Sequence, residues 1–521
     1  MNVPAQRGWL ETLRAFANPR VVTMLFLGFS AGLPLMLIFS SLGLWLREAG
    51  VERAVVTYFS WAALGYSFKF VWAPLVDQLP LPWLTRIMGR RRAWMLLAQL
   101  LIISAIVSIA SLDPQAGGGS LTIMAYAAVL LGFSAATQDI VIDAYRIESA
   151  ETELQALMSA TYIAGYRIGM LFSGAGSLYL ASWFGSSGEI YIFQAWQSSY
   201  ALMALAMLVG LITTLIISEP DRNSVSSFSY SAGVYGRFVL LFVSAVGGFV
   251  ACFYFSGEIA SSIKTGLGEL FINQYLAGFL VECLRLLVAI AVAWTIATGL
   301  IKAGLIDYSM FEQTYLMPVR DFFTRYGLSL AWLLLALIGL YRISDIVLGV
   351  ISNIFYQDLG FSKKEIADVV KTFGLLMTIA GGFVGGVLSM RYGVMRILLL
   401  GAVLSAATNL LFMVLASKGY DMTWLYIVIS ADNLSAGIAS AAFVAFLSSL
   451  TNISFTAMQF AIFTSLMTLL PKILGGYSGT MVDAIGYSNF FLVTALMGIP
   501  VLLLILFASR RSQFSFKLAS G

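Results

Sequence analysis

The sequence predicts an all-α polytopic membrane protein with fourteen transmembrane helices, arranged as two six-helix halves with two extra helices between them. Three observations lead there. Of 521 residues, 60% are hydrophobic and only 11% charged, with a mean hydropathy of +0.89; soluble domains carry roughly 25% charged residues. Apolar runs long enough to cross a bilayer recur at 21–45, 54–76, 93–112, 121–147, 155–183, 196–217, 236–256, 278–301, 327–357, 366–390, 394–416, 422–450, 453–484 and 486–508. The chain also repeats itself: L-R-E-A-G-V-E-R-A-V-V at 46–56 resembles Y-Q-D-L-G-F-S-K-K-E-I at 356–366. In each, an acid and a glycine close one helix and a basic residue opens the next.

A fainter echo aligns S-A-A-T-Q-D at 134–139 with S-A-G-I-A-S at 435–440. The repeat divides the chain into residues 1–220, a first six-helix bundle; 221–324, two inserted helices and an amphipathic linker; and 325–521, a second six-helix bundle. An even number of inserted helices gives both halves the same orientation, the layout of major facilitator transporters. Assigning alternate loops to one side places 18 of the 30 Lys and Arg with the termini, 6 on the other side and 6 inside helices, so both termini are expected in the cytoplasm. The first run is too long for a cleavable signal and lacks an A-x-A site, which makes it a retained helix. Residues 8–17 suit a short interfacial helix, and the segment 302–326 one lying along the cytoplasmic face.

Histidine is absent, which removes Ser-His-Asp and Cys-His catalysis and His-ligated metal. Cys252 and Cys283 fall near the outer ends of neighbouring helices, where a disulfide is conceivable and two free buried thiols are the simpler expectation. No Walker motif, G-x-G-x-x-G fingerprint or metal-spaced cysteine set occurs. The expectations are therefore no enzyme activity, no metal and no cofactor, with an ion gradient or the substrate's own gradient as energy source. The basic residues lie in loops between helices, so no nucleic-acid partner is expected. The partners left are membrane lipid and a small molecule, with the chain acting as a monomer. A membrane sensor or scaffold is the remaining non-transport class, and its long soluble extension is missing from the loops.

The organising stretch is G-F-S-A-A-T-Q-D-I-V-I-D-A-Y-R-I-E, Gly132 to Glu148. At ~100° per residue, Asp139, Asp143 and Arg146 share one helix face. A carboxylate at bilayer depth costs ~2.5–3.5 kcal/mol on insertion scales, so it must face a bundle interior or a wet cavity. Transport chemistry and a structural ion pair both fit. Arg167, in G-Y-R-I-G-M of the fifth run, lies at a similar depth and is expected to pair with Asp139 or Asp143 in at least one state. With Arg167, the two acids are the candidates for coupling transport to an ion gradient. The repeat aligns Asp139 with Ser440 and Asp143 with Val444, an asymmetry suggesting that the halves share a scaffold and not a chemistry.

Other candidates line the same region. Lys69, Gln138, Tyr162, Tyr166, Arg342, Asp345 and Lys371 are candidate substrate contacts, with Arg342 and Asp345 spaced to pair on one face and Asp368 and Lys371 spaced likewise. Glu282 and Arg285 repeat that spacing near a helix end, as a pair without function. Gly32 either admits a ligand or simply packs. K-F-V-W-A-P-L-V-D-Q (69–78) followed by G-R-R-R (89–92) puts Asp77 at one helix end and Arg90, Arg91 and Arg92 before the next. Charge contacts there, and at Arg391 in the corresponding turn of the second half, are candidates for a gate; plain positive-inside topology is the simpler reading of the arginines.

These strings resemble the AmpG muropeptide permease family of the major facilitator superfamily. The likeness rests on G-F-S-A-G-L-P-L (28–35), the Lys69–Asp77 string with G-R-R-R, A-T-Q-D-I-V-I-D-A-Y (136–145), G-Y-R-I-G-M-L (165–171), K-T-F-G-L-L (371–376) and A-F-V-A-F-L (442–447). It implies proton-driven import of GlcNAc-1,6-anhydroMurNAc peptides across the bacterial inner membrane, in peptidoglycan recycling and β-lactamase induction. A carrier of another bulky conjugate, acetyl-CoA-like or peptide, is the alternative on the same fold.

Overall fold

The computed structural model describes residues 14–51, 59, 65–186, 190–220, 232–270, 274–305, 308–362, 365–475 and 478–510. Predicted features at residues 8–13, the side chain of Glu282 and the Cys252–Cys283 pairing lie outside what is described. The described residues are nearly all helical and contain no strand.

The first half comprises α1 (Pro19–Met36, continued by a π-turn Leu37–Ser41 and by Leu42–Glu48), α2 (Gly65–Phe68, a 3-10 turn Lys69–Val71 and Ala73–Gln78), α3 (Arg90–Ala110), α4 (Gly118–Ser149), α5 (Thr152–Trp183) and α6 (Phe193–Ala206 with Leu208–Ile216). Then come α7 (Ala232–Phe255), α8 (Gly257–Leu270) and α9 (Gln274–Lys302). The second half comprises α10 (Met317–Leu340, broken at Gly327), α11 (Ile343–Asp358), α12 (a π-turn Ile366–Phe373 and Gly374–Tyr392), α13 (Val394–Lys418), α14 (Met422–Leu450), α15 (Thr456–Gly475), α16 (Ser478–Leu496, broken at Gly486) and α17 (Gly498–Arg510). Helix occupies the described part of each of the fourteen apolar runs. By length and composition alone, ten helices among the described residues are long and apolar enough to cross a membrane.

Two compact units emerge, residues 1–225 together with 322–521, and residues 226–321. In the smaller unit α7 packs along α9, and Arg285 donates to the Phe253 carbonyl and to Ser256 Oγ (2.9 Å). In the larger unit α5 packs along both α1 and α12, and α15 along α2 and α4, so the two six-helix bundles meet through α2, α4, α5, α12 and α15.

The repeat has a backbone counterpart. Gly50 and Gly360 both take positive φ (84° and 90°). In both places the glycine N–H returns to the carbonyl three residues back, and the next N–H (Val51, Phe361) to the carbonyl five back. This left-handed helix stop is one that glycine enters without a Cβ penalty. The helices bend where the site lies. Pro74 removes a helical donor and restricts the residue before it, and the 3-10 turn at Lys69–Val71 precedes it. The chain leaves helix again at Tyr341–Arg342, between α10 and α11.

Candidate functional site

Two buried carboxylates stand on α4. Asp143 Oδ2 lies 3.8 Å from Lys69 Nζ and its Oδ1 3.5 Å from Arg146 Nη2. Asp139 Oδ1 accepts a hydrogen bond from the Tyr162 hydroxyl (3.3 Å), and the hydroxyls of Tyr66 and Tyr166 stand near enough to feel its charge. The two acids are thus held differently: Asp143 between two cations, Asp139 by a phenol. Lys69 is buried, at 8% exposure, because the α2 break carries it toward α4. Arg146, fully buried, reaches out of this cluster to Gln155, Ser159 and, in the other half, Ser448 (2.8 Å), with its guanidinium over the Phe460 ring.

A second cluster closes the bundle at the end bearing Arg90–Arg92, called here the basic end. Asp77, 3% exposed, accepts from the backbone N–H groups of Ala457 and Met458 at 3.1 and 2.9 Å. These are free amides in the first turn of α15, where a carboxylate from the other half satisfies both orphan donors and the positive end of the helix dipole. Arg91 binds the same carboxylate at 2.7 Å, Glu148 through Nε (3.0 Å) and Nη2, and Thr456 Oγ1 at 2.8 Å. Thr456 in turn donates to Glu148. One arginine therefore sits between two acids, and both acids contact the other half. Breaking such a buried pair by removing one partner costs ~3–5 kcal/mol.

The second half has a cluster of its own. Arg342, at the α10–α11 break, pairs through Nε with Asp345 Oδ2 (3.2 Å) and donates from Nη1 to Ser440 Oγ (2.7 Å). Ser440 is the repeat counterpart of Asp139, so a guanidinium holds in the second half the position that a carboxylate occupies in the first. Asp432 on α14 accepts from Thr408 Oγ1 at 3.4 Å and lies within electrostatic reach of Asp345 and Arg342. Arg167 on α5 has no hydrogen bond or ion pair among the described residues, and its charged neighbour is Arg342 from the opposite half. Counting ~1.5 Å per residue from the basic end of each helix, and for α10 and α11 from the break at Gly327, Asp139 lies ~15 Å deep, Arg167 and Arg342 ~22 Å, and Asp345 and Asp432 ~27 Å. Two guanidinium groups therefore stand between an inner acid pair and an outer one.

Comparison with known proteins gives this geometry a family. The Major Facilitator Superfamily profile matches residues 333–519, and that of acetyl-coenzyme A transporter 1 matches residues 20–219. The anhydromuropeptide permease of Escherichia coli K12 is 30% identical over 97% of this chain and 83% of its own length. The chain belongs to the AmpG family. A putative AmpG transporter of Rickettsia conorii is 28% identical over 96% of this chain and 99% of its own. The proton:xylose symporter XylE, at 12% identity, shares the fold, with a TM-score of 0.56 over 95% of both chains. The protein is accordingly a multi-pass membrane transporter with a small-molecule substrate, and not an enzyme.

The structure places several of the sequence candidates of this AmpG-family chain elsewhere than beside the α4 acids. Arg167 does not meet Asp139 or Asp143 in this structure. It lies five residues beyond Tyr162, ~140° round α5, and faces Arg342, while Tyr162, Lys69 and Arg146 take the places beside the acids. Gln138, expected at the substrate, is fully buried with its Nε2 on Ser30 Oγ (3.2 Å), where it joins α4 to α1. Gly32 is a packing position: a Cβ there would come within 2.0 Å of the Tyr166 carbonyl oxygen. Lys371 and Asp368 are exposed and make no ion pair among the described residues; the π-turn that carries them separates residues three apart more widely than an α-helix does. Arg92 is away from the junction between the halves, capping the end of α6 through the Thr214 and Leu215 carbonyls (3.1 and 2.7 Å). Arg90 reaches the Asp77 carbonyl and lies 3.9 Å from Glu148. Arg391 stacks over the Tyr392 ring.

Glu148, Thr456 and Asp432 were missed as site residues. Asp432 was findable: a lone acid midway along the apolar run 422–450 meets the rule that singled out Asp139. Thr456 carries no such signal, because its role comes from tertiary packing alone.

Proposed function

We propose that this chain imports GlcNAc-1,6-anhydroMurNAc peptides across the bacterial inner membrane by proton symport with alternating access, serving peptidoglycan recycling and, through the imported muropeptides, β-lactamase induction. The observation that carries the substrate is the near full-length likeness to the anhydromuropeptide permease. A muropeptide is bulky, hydroxyl-rich and anionic at its carboxylates. Arg167, free of any acid, with Arg342 across from it, supplies guanidinium groups that bind carboxylates in two-pronged fashion. Tyr66, Tyr162 and Tyr166 offer faces and hydroxyls to sugar rings.

Asp139 and Asp143 are the acids that take and release the coupling proton, with no further cofactor. Lys69 and Arg146 hold Asp143 in place, and Tyr162 follows the charge of Asp139. With the basic end in the cytoplasm, as the distribution of Lys and Arg favours, both termini are cytoplasmic and this structure is closed to the cytoplasm. The Asp77–Arg91–Glu148–Thr456 cluster then acts as the gate: it must break for substrate to leave inward. The protein acts as a monomer in this scheme.

A second reading, a carrier of acetyl-CoA-like conjugates, is favoured by the profile match over residues 20–219. Uptake of radiolabelled anhydromuropeptide into proteoliposomes, with acetyl-CoA and plain peptides as competitors, separates the two. The expected result is accumulation blocked by unlabelled muropeptide and unaffected by acetyl-CoA. No muropeptide uptake, with radiolabelled acetyl-CoA accumulated by the same proteoliposomes, would transfer the assignment.

A further inference from the structure

Resting on that reading, we propose that the second half carries its own proton-binding site, the Asp345–Asp432 pair, loaded when the substrate's carboxylate takes Arg342 away from Asp345. The argument starts from sharing. Arg342 is the counter-ion of Asp345 (3.2 Å) and holds Ser440 Oγ (2.7 Å). It is also the guanidinium that faces Arg167 from the other half. An anion bridging the two arginines competes with Asp345 for Arg342. Asp432 offers Asp345 no compensation: it is a second carboxylate within electrostatic reach, with only the Thr408 hydroxyl at 3.4 Å.

The groups facing the pair are Arg342 and, on α11, Tyr356; Tyr341 at the α10–α11 break; Thr408 on α13; and, beyond Arg342, Arg167 on α5. The second cation there, Arg167, is engaged by the same anion and leaves the pair none of its own. Two carboxylates without a cation of their own do not both stay ionised. Binding the anion therefore draws in one proton. A carboxylate of the pair takes H⁺ from solvent to become the acid, the guanidinium passes from aspartate to substrate, and the site gains no net charge. Reversal on the other side of the membrane returns Arg342 to Asp345 and releases the proton. Two further buried groups suit a polar path to the pair: the Asn409 amide, next to Thr408, and Ser435 Oγ, one turn beyond Asp432, have no hydrogen-bond partner among the described residues. By depth the pair lies on the far side of the arginines from Asp139, where it meets protons entering from the outer end before the inner pair does.

The test is proton uptake on ligand binding. Purified protein in weakly buffered detergent solution, with a pH-indicator dye, is mixed with a GlcNAc-anhydroMurNAc tripeptide while binding is measured separately. Wild type is expected to take up protons. Asp345→Asn with Asp432→Asn is expected to take up one fewer per bound ligand, and Asp139→Asn to leave that increment intact. A carboxyl-amidated tripeptide on the wild-type protein, which requires no variant to fold, is expected to lose the same proton. Equal proton uptake by the double variant, or by wild type with the amidated ligand, would overturn the proposal. Failure of wild type to bind the tripeptide at all would instead overturn the substrate assignment on which the proposal rests.

Discussion

The two halves solve one problem on different helices. In the first, both acids stand on α4, with Lys69 and Arg146 about Asp143 and a phenol on Asp139. In the second, the acids are divided between α11 and α14, with Arg342 on Asp345 and a hydroxyl on Asp432. Each half thus keeps one cation-paired carboxylate and one carboxylate held by a hydroxyl alone. The sequence repeat conceals this, because the scaffold position of Asp139 is Ser440. The repeat sets where the helices go, and each half places its acids at its own positions along them.

The comparison can be broken by substitution, and the largest effect is expected at the acids. Asp143→Asn should lower uphill uptake by about 100-fold, the scale typical of a lost proton-transfer group, and leave downhill exchange measurable in the same proteoliposomes. If uphill uptake persists, the first half carries no proton. The arginines should separate next. Arg342→Ala leaves the half-buried Asp345 without its cation, which costs roughly 1–3 kcal/mol of stability, between the exposed and buried limits, in addition to binding. Arg167→Ala should weaken substrate binding and leave the thermal unfolding temperature unchanged, since Arg167 has no ion pair among the described residues. Equal destabilisation of both variants would remove the distinction.

At the basic end, Asp77→Asn removes a charged acceptor from the Ala457 and Met458 amides. A hydrogen bond to a charged group contributes ~1.5–3 kcal/mol, so the closed population should fall by roughly 10- to 100-fold, read as a longer spin-label distance between α3 and α15. The smallest effect concerns the turn before α12. There Tyr420 and Ser362 donate to Glu365 and hold its carboxyl below the usual range. A lowered carboxyl stabilises the fold above the usual carboxylate range and loses that contribution as pH falls through its own pKa. Tyr420→Phe should move the Glu365 titration upward in a carboxyl-resolved NMR experiment and leave transport unchanged.

Much of this was legible in the sequence, for physical reasons. Apolar runs mark helices because the bilayer forbids unsatisfied backbone. The glycine stops at 50 and 360 mark matching turns because few other residues enter positive φ. The α4 acids stand out because charge at that depth demands an explanation. Azimuth was harder. Depth alone suggested that Arg167 meets the acids, yet the angle round α5 aims it at the other half. The π-turn that parts Asp368 from Lys371 leaves no mark in residue spacing, and neither does the packing that turns Gln138 and Gly32 inward. Thr456 and the α15 amides enter the gate only because the halves close there.

Coupling is the central claim, and proton flux tests it most directly. Proteoliposomes containing the protein and an internal pH dye, with no imposed gradient, are given an anhydromuropeptide outside. The account predicts acidification of the interior that follows substrate entry and disappears in Asp143→Asn. Entry of the muropeptide with the internal pH unmoved would contradict it.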